Sequence, residues 1–297
     1  FVSVKTPFLD PVLTKRNKKF AGKTPVDVHL MVQKPLLVVD DFIKAGADMI
    51  SVHVEADDFD QALVRIKSAG RKAGIVFNPK TPVDAVLPHL PHISFVLVMS
   101  VVPGKGGQSY LTEVNDKIDT LKEEIIEKKL SVFIEVDGGI KKENYDLPVN
   151  AGADVLVVGT GIFHEKEYAA VVQQLKTVLY LGADHAGYQL KENLKAYLRE
   201  HHVAFQDFGS VFDPKDDYPD VAHVVASEVA QSQGRGLLIC SSGTGVSIAA
   251  NRTSGVRAAA LLSEDRVLLA RLHNNLNILC LPGMVFPNLK KEIASGK

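Results

Sequence analysis

The sequence predicts an α/β protein made of two domains, each built on a parallel sheet. Three observations predict this. Short apolar runs rich in β-branched residues recur along the chain, helical segments alternate with them, and 297 residues exceed the usual size of one compact domain. Parallel strands need a crossover connection, usually a helix, so the alternation favours parallel over antiparallel sheets.

The elements follow one another in a regular order. The strand-like runs cover residues 25–32, 49–56, 73–79, 95–101, 132–139, 154–161, 178–184, 235–242, 256–262 and 277–283. The clearest helical segments cover residues 34–47, 59–70, 111–129 and 188–202, where apolar residues recur three or four positions apart. A new strand, loop and helix begin directly after residue 177, so we expect domains at 1–177 and 178–297.

Composition restricts the class of protein. The chain is 46% hydrophobic and 23% charged with a formal net charge of -1, which is typical of a globular enzyme and offers no basic surface for nucleic acid. No apolar run reaches the roughly 18 residues of a membrane span, and the first residues lack a signal-peptide pattern. Cys240 and Cys280 are too few for a disulfide framework. We expect a cytoplasmic enzyme with reduced cysteines, and neither nucleic acid nor membrane as a partner.

Glycine-containing loops follow three strands of the first half, at 103–110, 137–140 and 159–163. Without a side chain, glycine lets backbone N–H groups approach an anion closely, and in a parallel barrel such loops lie at the active-site face. We therefore expect a phosphate site. Its candidate residues are Gly106, Gly107, Gly138, Gly139, Gly159, Thr160 and Gly161.

The first half resembles the ribulose-phosphate 3-epimerase family through the segments DVHLMV, SVHVEA, VLVMSVVPGKGGQSY, VDGGI and GTGIF, over about residues 1–176. The resemblance implies a TIM barrel that binds a divalent metal (Zn, Fe or Mn) with two histidines and two aspartates, the aspartates also exchanging the substrate proton. His29 and Asp137 match one histidine and one aspartate of that set, which makes Asp137 both metal ligand and catalytic residue. His53 is expected to be structural.

The other two ligands of that family lie on a strand ending in Met-Asp-Gly, which has no match here. A closed barrel also requires two strands more than this half supplies. We therefore expect an incomplete barrel that lacks its first two strands, an incomplete metal site and impaired epimerisation. Val102 stands where the family carries a glutamate, which removes a further carboxylate.

Cys240 raises a separate question, because it ends an apolar run and precedes a small-residue loop, CSSGTGVS, that leads into a helix. Backbone amides of such a loop favour the thiolate and could hold an oxyanion. The whole second half, about residues 178–286, resembles ribose-5-phosphate isomerase B. That family is a Rossmann-like α/β/α sandwich which uses no metal and forms dimers with shared sites.

The resemblance implies roles for named residues of the second half. Cys240 is the base, Ser242 and His273 open the sugar ring, and Asn274 stabilises the enediolate. Substrate contacts are expected from Asp184, His185, Tyr218, Gly243, Thr244 and Gly245. The arginines that the family carries in its C-terminal helix have no match in PGMVFPNLKKEIASGK, and Arg257, Lys290 or Lys291 could substitute for them at the phosphate.

Ribulose 5-phosphate is a shared metabolite of the two families. We therefore interpret the chain as a fusion of two consecutive pentose phosphate activities that forms a homo-oligomer through its isomerase half. Two alternatives stay open at this point. The second half could isomerise another aldose phosphate, such as allose or galactose 6-phosphate. The barrel half could be a non-catalytic dimerisation or scaffold module.

Overall fold

The computed structural model describes residues 10–103, 107–209 and 211–284. The chain divides into two compact units, Phe1–Val172 and Gln173–Lys297. The boundary predicted from the sequence, between residues 177 and 178, lies slightly later and stays a prediction. In the described ranges, no helix has both the length and the apolar character needed to cross a membrane.

The first unit contains a parallel sheet whose strands are neighbours in chain order. The strands are β1 Asp27–Leu30, β2 Met49–His53, β3 Lys72–Phe77, β4 Phe95–Met99, β5 Phe133–Asp137 and β6 Val155–Val157. Its helices are α1 Pro11–Ala21, α2 Val39–Ala45, α3 Phe59–Ser68, α4 Asn115–Glu127, α5 Asp146–Asn150, α6 Thr160–Phe163 and α7 Tyr168–Leu175. This architecture is an incomplete TIM-type barrel, which confirms the predicted fold class.

Residues alternate between the two faces of these strands, because successive side chains of a strand point in opposite directions. The outer face packs with the helices into the main core, which includes Ile50, Val52, Ile75, Val96 and Val136. The inner, concave face carries Phe95, whose ring lies where a side chain at Gly74 would be: a Cβ there would come within 2.3 Å of the ring. Phe95 also stacks on Phe133, with ring centroids 5.3 Å apart.

The second unit contains a flatter parallel sheet with the strand order β10-β11-β9-β7-β8. Its strands are β7 Leu179–Ala183, β8 Phe205–Phe208, β9 Arg235–Cys240, β10 Ala258–Ala260 and β11 Ile278–Pro282. Its helices are α8 Tyr188–Glu200, α9 Tyr218–Ser232, α10 Thr244–Ala250 and α11 Glu264–Asn274. Strand β8 was not predicted from the sequence, because its four residues FQDF include two polar ones.

Helices cover the two faces of this sheet unequally. Side chains of α9 and α10 pack on one face, and α8 packs on the other. Helix α11 has no buried residue, and its Leu268, Leu269 and Leu272 are exposed. The arrangement is the predicted Rossmann-like sandwich. The order of strands reverses between β7 and β9, and in open α/β sheets ligands bind beside the carboxyl ends of strands at such a switch point.

Candidate active sites

The carboxyl ends of β7 and β9 bring together the predicted residues around Cys240. Asp184, which follows β7, donates its backbone N–H to the carbonyl of Ile239, 3.2 Å away, so it lies beside the end of β9. Cys240 ends β9 with only 4% of its surface exposed. The backbone N–H of Gly243 donates to its Sγ over 3.2 Å. That N–H lies where it would stabilise negative charge on the sulfur.

Two glycines shape the loop after Cys240. Gly243 begins α10 in the left-handed region at φ 75°, which glycine adopts without steric cost. At Gly245 a Cβ would come within 2.9 Å of the Tyr218 ring, so this position admits Tyr218 only because it is glycine. Ser242 Oγ accepts the N–H of Thr244 over 3.3 Å, and both residues are exposed. The structure thus places Ser242, Gly243, Thr244 and Gly245 in the loop and helix start directly after Cys240, with the Tyr218 ring packed against Gly245.

His185 lies at the same edge and is held by Asp216, which the sequence did not predict as a site residue. The His185 backbone N–H donates to Asp216 Oδ1 over 2.7 Å, and its Nδ1 lies 2.9 Å from the same oxygen. The hydrogen bond to Asp216 raises the pKa of His185. Beside it, burial raises the pKa of Asp184, whose Oδ1 accepts the N–H of Gly187 over 3.0 Å.

Three predicted site residues lie at the opposite edge of this sheet. His273 and Asn274 end α11, which comes before β11, so they lie at the amino ends of the strands. Arg257 precedes β10 at the same edge, where its Nε donates to the carbonyl of Asn275 over 2.8 Å. Cys240, in contrast, pairs in register with Pro282, the last residue of β11. One chain therefore does not bring Cys240 together with His273, Asn274 and Arg257.

Cys280 is a core residue, as expected from its apolar run. It is fully buried on β11, where it pairs with Leu238 two positions before Cys240 on the neighbouring strand. Burial, followed by the neighbouring Cys240, raises the pKa of its thiol to about 12. A thiol with that pKa stays protonated near neutral pH and is a poor nucleophile.

In the first unit, the three predicted phosphate loops pack against one another at the carboxyl ends of the strands. A Cβ at Gly138 would lie 2.5 Å from Val101, one at Gly139 would lie 2.4 Å from the backbone of Tyr110, and one at Gly161 would lie 2.4 Å from the Ile140 carbonyl. Because a side chain at any of these three positions would collide with a neighbouring loop, each position requires glycine. Gly107, Gly159 and Thr160 belong to the same loops, and Gly106 is outside the described residues.

A chain of hydrogen bonds links two histidines and a carboxylate beside these loops. His29 Nε2 and His53 Nε2 lie 2.8 Å apart, and His53 Nδ1 lies 3.1 Å from Glu55 Oε2. Partial burial opposes ionisation of Glu55, but hydrogen bonds from His53, Thr81 and the Asn78 N–H outweigh it and lower its pKa to about 2. His53, expected to be structural, is therefore in direct contact with the predicted metal ligand.

A cavity of about 610 Å³ opens beside this hydrogen-bonded chain. Its walls include His53, Glu55, Asn78, Thr81 and Val102. Deeper in the concave face, burial raises the pKa of Asp27 to about 7, although a hydrogen bond with Glu135 works against the increase. Burial, followed by the neighbouring charge of Asp27, raises the pKa of Glu135 to about 9. The concave face therefore holds protonatable groups along much of its depth.

The two predicted metal ligands lie on different strands of the first sheet. His29 lies near the carboxyl end of β1, and Asp137 is buried at the carboxyl end of β5. Among residues 10–103, 107–209 and 211–284, no three histidine, cysteine or acidic side chains group closely enough to hold a metal ion. The incomplete metal site therefore stays a prediction.

Two different protein families match the two units of the chain. Residues 8–163 match the model of the ribulose-phosphate 3 epimerase family, and residues 179–295 match that of ribose/galactose isomerase. The ribulose-phosphate 3-epimerase of Synechocystis sp. is 42% identical over 167 residues, which are 55% of this chain and 72% of the relative. That of Escherichia coli K12 is 38% identical over 172 residues, 58% of this chain and 76% of the relative.

Solved structures of ribose-5-phosphate isomerase B match the second half. The Mycoplasma genitalium protein, with bound ribulose-5-phosphate, is 40% identical over 36% of this chain and 73% of its own, with a TM-score of 0.35. The Clostridium thermocellum protein is 36% identical over 40% of this chain and 82% of its own, with a TM-score of 0.37. The chain thus belongs to the ribulose-phosphate 3-epimerase family and joins to that domain a second one that matches the ribose/galactose isomerase family.

Proposed function

We propose that the second unit interconverts ribose 5-phosphate and ribulose 5-phosphate, and that the first unit is a ribulose 5-phosphate epimerase domain with impaired activity. The observation that carries the isomerase proposal is the cluster of Cys240, Asp184, His185 and Tyr218 at the switch point of the second sheet. The epimerase match supports a pentose rather than a hexose substrate, because ribulose 5-phosphate then leaves one unit as a substrate of the other.

Cys240 is the proposed base. Isomerisation moves a proton between adjacent carbons on one face of an enediolate, so a single base is sufficient. The Cys240 thiolate takes the proton from C2 of the open-chain aldose, which gives an enediolate, and returns it to C1. The C2 hydroxyl gives up its proton and the C1 oxygen gains one, so that C2 becomes the ketone and C1 carries a hydroxyl. The N–H of Gly243 donates to Sγ and can stabilise negative charge that develops there.

The remaining chemistry requires groups on the sugar oxygens. Ser242 and Thr244 are exposed residues of the segment that follows Cys240, so their hydroxyls can reach a substrate, and the Tyr218 ring packs against Gly245. His185 bonds Asp216 through Nδ1, which leaves Nε2 for a substrate oxygen or the phosphate. Its raised pKa favours the cation, which suits an anionic ligand.

His273, Asn274 and Arg257 lie at the wrong edge to serve the same chain, so we propose that a second copy supplies them. The site is then completed by the partner subunit's His273, next to Cys240. Helix α11 supports a homodimer, because it presents Leu268, Leu269 and Leu272 to solvent and buries none of its residues. An apolar helix face of this kind marks an interaction surface.

Mixed dimers test this assignment. Chains with Cys240→Ala and chains with His273→Ala carry different affinity tags, are coexpressed, and the doubly tagged dimer is isolated. A shared site predicts that each parent dimer is inactive and that the mixed dimer regains about half of wild-type activity, because one of its two sites is intact. An inactive mixed dimer of normal size would refute sharing. Mixing Cys240→Ala with Ser242→Ala is the matched control, since both changes affect the same half-site and should not complement.

In the first unit, the packed loops around Gly138, Gly139 and Gly161 are the proposed phosphate site, and the adjacent cavity is proposed to take the sugar. Asp137 is the proposed proton-exchanging carboxylate. A divalent metal (Zn, Fe or Mn) is expected from the family for this unit, with His29 and Asp137 as its matching ligands, and none is expected for the isomerase unit. We propose a cytoplasmic location, where free sugar phosphates are available, and cell fractionation tests it.

A further inference from the structure

Helix α8 holds a lysine that the proposed mechanism does not use. Lys191 has no exposed surface. Burying an ammonium group is costly unless several acceptors replace its hydration. Its Nζ donates to both carboxylate oxygens of Asp207, each 2.7 Å away, and to the carbonyl oxygen of Gly209, 2.6 Å away. The three hydrogen bonds use the full donor capacity of the group.

Lys195, one turn later on α8, offers a natural comparison. Its Nζ donates to Asp207 Oδ2 over 2.7 Å and to Glu192 Oε1 over 3.1 Å. Both of these partners are side chains. Lys191 differs because it also holds a backbone carbonyl, that of Gly209, directly after β8.

The position of Lys191 makes that backbone contact important. Lys191 lies in the first turn of α8, where its N–H donates to the carbonyl of Gly187 over 3.0 Å. The turn 184–187, which contains Asp184 and His185, immediately precedes α8. Gly209 packs beside the same turn, since a Cβ there would lie 3.5 Å from the carbonyl oxygen of Ala183. Lys191 thus links the segment after β8 to the helix that follows the turn.

Both connected segments meet again at the proposed isomerase site. The chain that leaves Gly209 carries Asp216, whose carboxylate binds His185 through both its backbone N–H and Nδ1. We propose that Lys191 is a positioning residue of the isomerase site, which sets the separation of the two segments so that Asp216 meets His185. This inference rests on the proposed function for its kinetic consequence but not for its structural one.

The test compares Lys191→Met with Lys195→Met in the full-length chain. The charged groups that face His185 are Asp216 and Asp184. Loss of the Asp216 contact should therefore lower the pKa of His185, so that it deprotonates at lower pH. NMR of ¹⁵N-labelled histidine measures this titration, and the His185→Asn variant assigns the signal. We expect this shift in Lys191→Met and not in Lys195→Met. In kinetics with ribose 5-phosphate, Lys191→Met should reduce kcat/KM by up to about 10²-fold, mainly through KM.

Two results would overturn the proposal: an unchanged His185 titration in folded Lys191→Met, or equal shifts in both lysine variants. Gly209→Ala provides a second route if Lys191→Met fails to fold. Gly209 is exposed with φ +123°, a conformation that strains alanine, so the change displaces the same carbonyl and leaves the buried lysine in place. Gly209→Ala should lower the pKa of His185 as Lys191→Met does, and an unchanged pKa would contradict the proposal. If the wild-type chain does not isomerise ribose 5-phosphate, only the proposed function fails, because the titration needs no substrate.

Discussion

The two sheets of this protein hold their polar groups in different places. In the first unit, the concave face carries Asp27, Glu135 and the His29–His53 pair within the curve of the sheet, and Glu135 is almost fully buried. In the second unit, both faces of the sheet are apolar over most of their area, and Cys240 and His185 lie at an edge.

The difference follows from curvature. A curved sheet encloses its inner face, so polar groups there interact with one another and shift their pKa values, as burial does for Asp27 and Glu135. A flat sheet covered by helices leaves reactive groups only at its ends. Its two edges are separated by the full length of the strands, which is why a single chain of the second unit divides its candidate residues between them.

The largest expected effect tests the edge site. Cys240→Ala should reduce kcat for ribose 5-phosphate by about 10²–10⁴-fold, because a positioned base is lost. Steady-state isomerisation assays measure it. Cys280→Ala is the matched control, since its thiol is buried in the core and remains protonated. A comparable loss of kcat in a folded Cys280→Ala chain would mean that the wrong cysteine has been assigned.

The next effect tests whether the opposite edge belongs to a partner. Leu272→Glu, on the exposed face of α11, should place an unpaired charge in the interface at a cost of about 2–5 kcal/mol. That cost weakens the dimer by on the order of 30-fold or more, and isomerase activity should fall with it. Analytical ultracentrifugation gives the dissociation constant. Leu37→Glu, an equally exposed leucine of the first unit, should leave it unchanged.

A smaller effect concerns the curved sheet. Glu55→Gln removes a carboxylate whose pKa is lowered to about 2 by hydrogen bonds that outweigh partial burial. Such a group stabilises the folded state above the ordinary glutamate pKa of about 4.3, and the stabilisation disappears as the pH falls toward 2. We expect Tm to fall by about 2–4 °C at neutral pH. The difference from wild type, followed by calorimetry, should vanish in acid.

Glu113→Gln is the control for that measurement, because Glu113 lines the same cavity and lies outside the histidine chain. A Tm difference for Glu55→Gln that stays constant from pH 7 to pH 2 would show that the carboxylate charge is not responsible.

The smallest expected effect is none at all. The proposed isomerisation uses a thiolate and hydrogen bonds, so EDTA should leave the rate of ribose 5-phosphate isomerisation unchanged. Any metal dependence then belongs to the first unit, where solvent deuterium incorporation at C3 of ribulose 5-phosphate reports epimerisation. Loss of isomerase activity in EDTA, restored by a divalent cation, would contradict the metal-free mechanism.

The sequence predicted the parallel sheets and the loop after Cys240 because apolar runs and glycines are local signals. It also contained an unused signal for His273 and Arg257. Both precede an apolar run, whereas Cys240 follows one, so they belong to opposite ends of parallel strands. Lys191 and Asp216 could not be found in this way. The burial of Lys191 depends on Asp207, which lies on the short strand β8, and the role of Asp216 depends on how two separate loops meet.

The contact between Gly74 and Phe95 has a consequence for how this protein can change over generations. The ring occupies the space that any side chain at Gly74 would need. A larger residue at position 74 is acceptable only after position 95 has become smaller, and a smaller residue at 95 alone leaves a cavity in the concave face. Substitutions at positions 74 and 95 are therefore coupled. The same substitution at one position can lower or raise the stability of the fold, depending on which residue stands at the other.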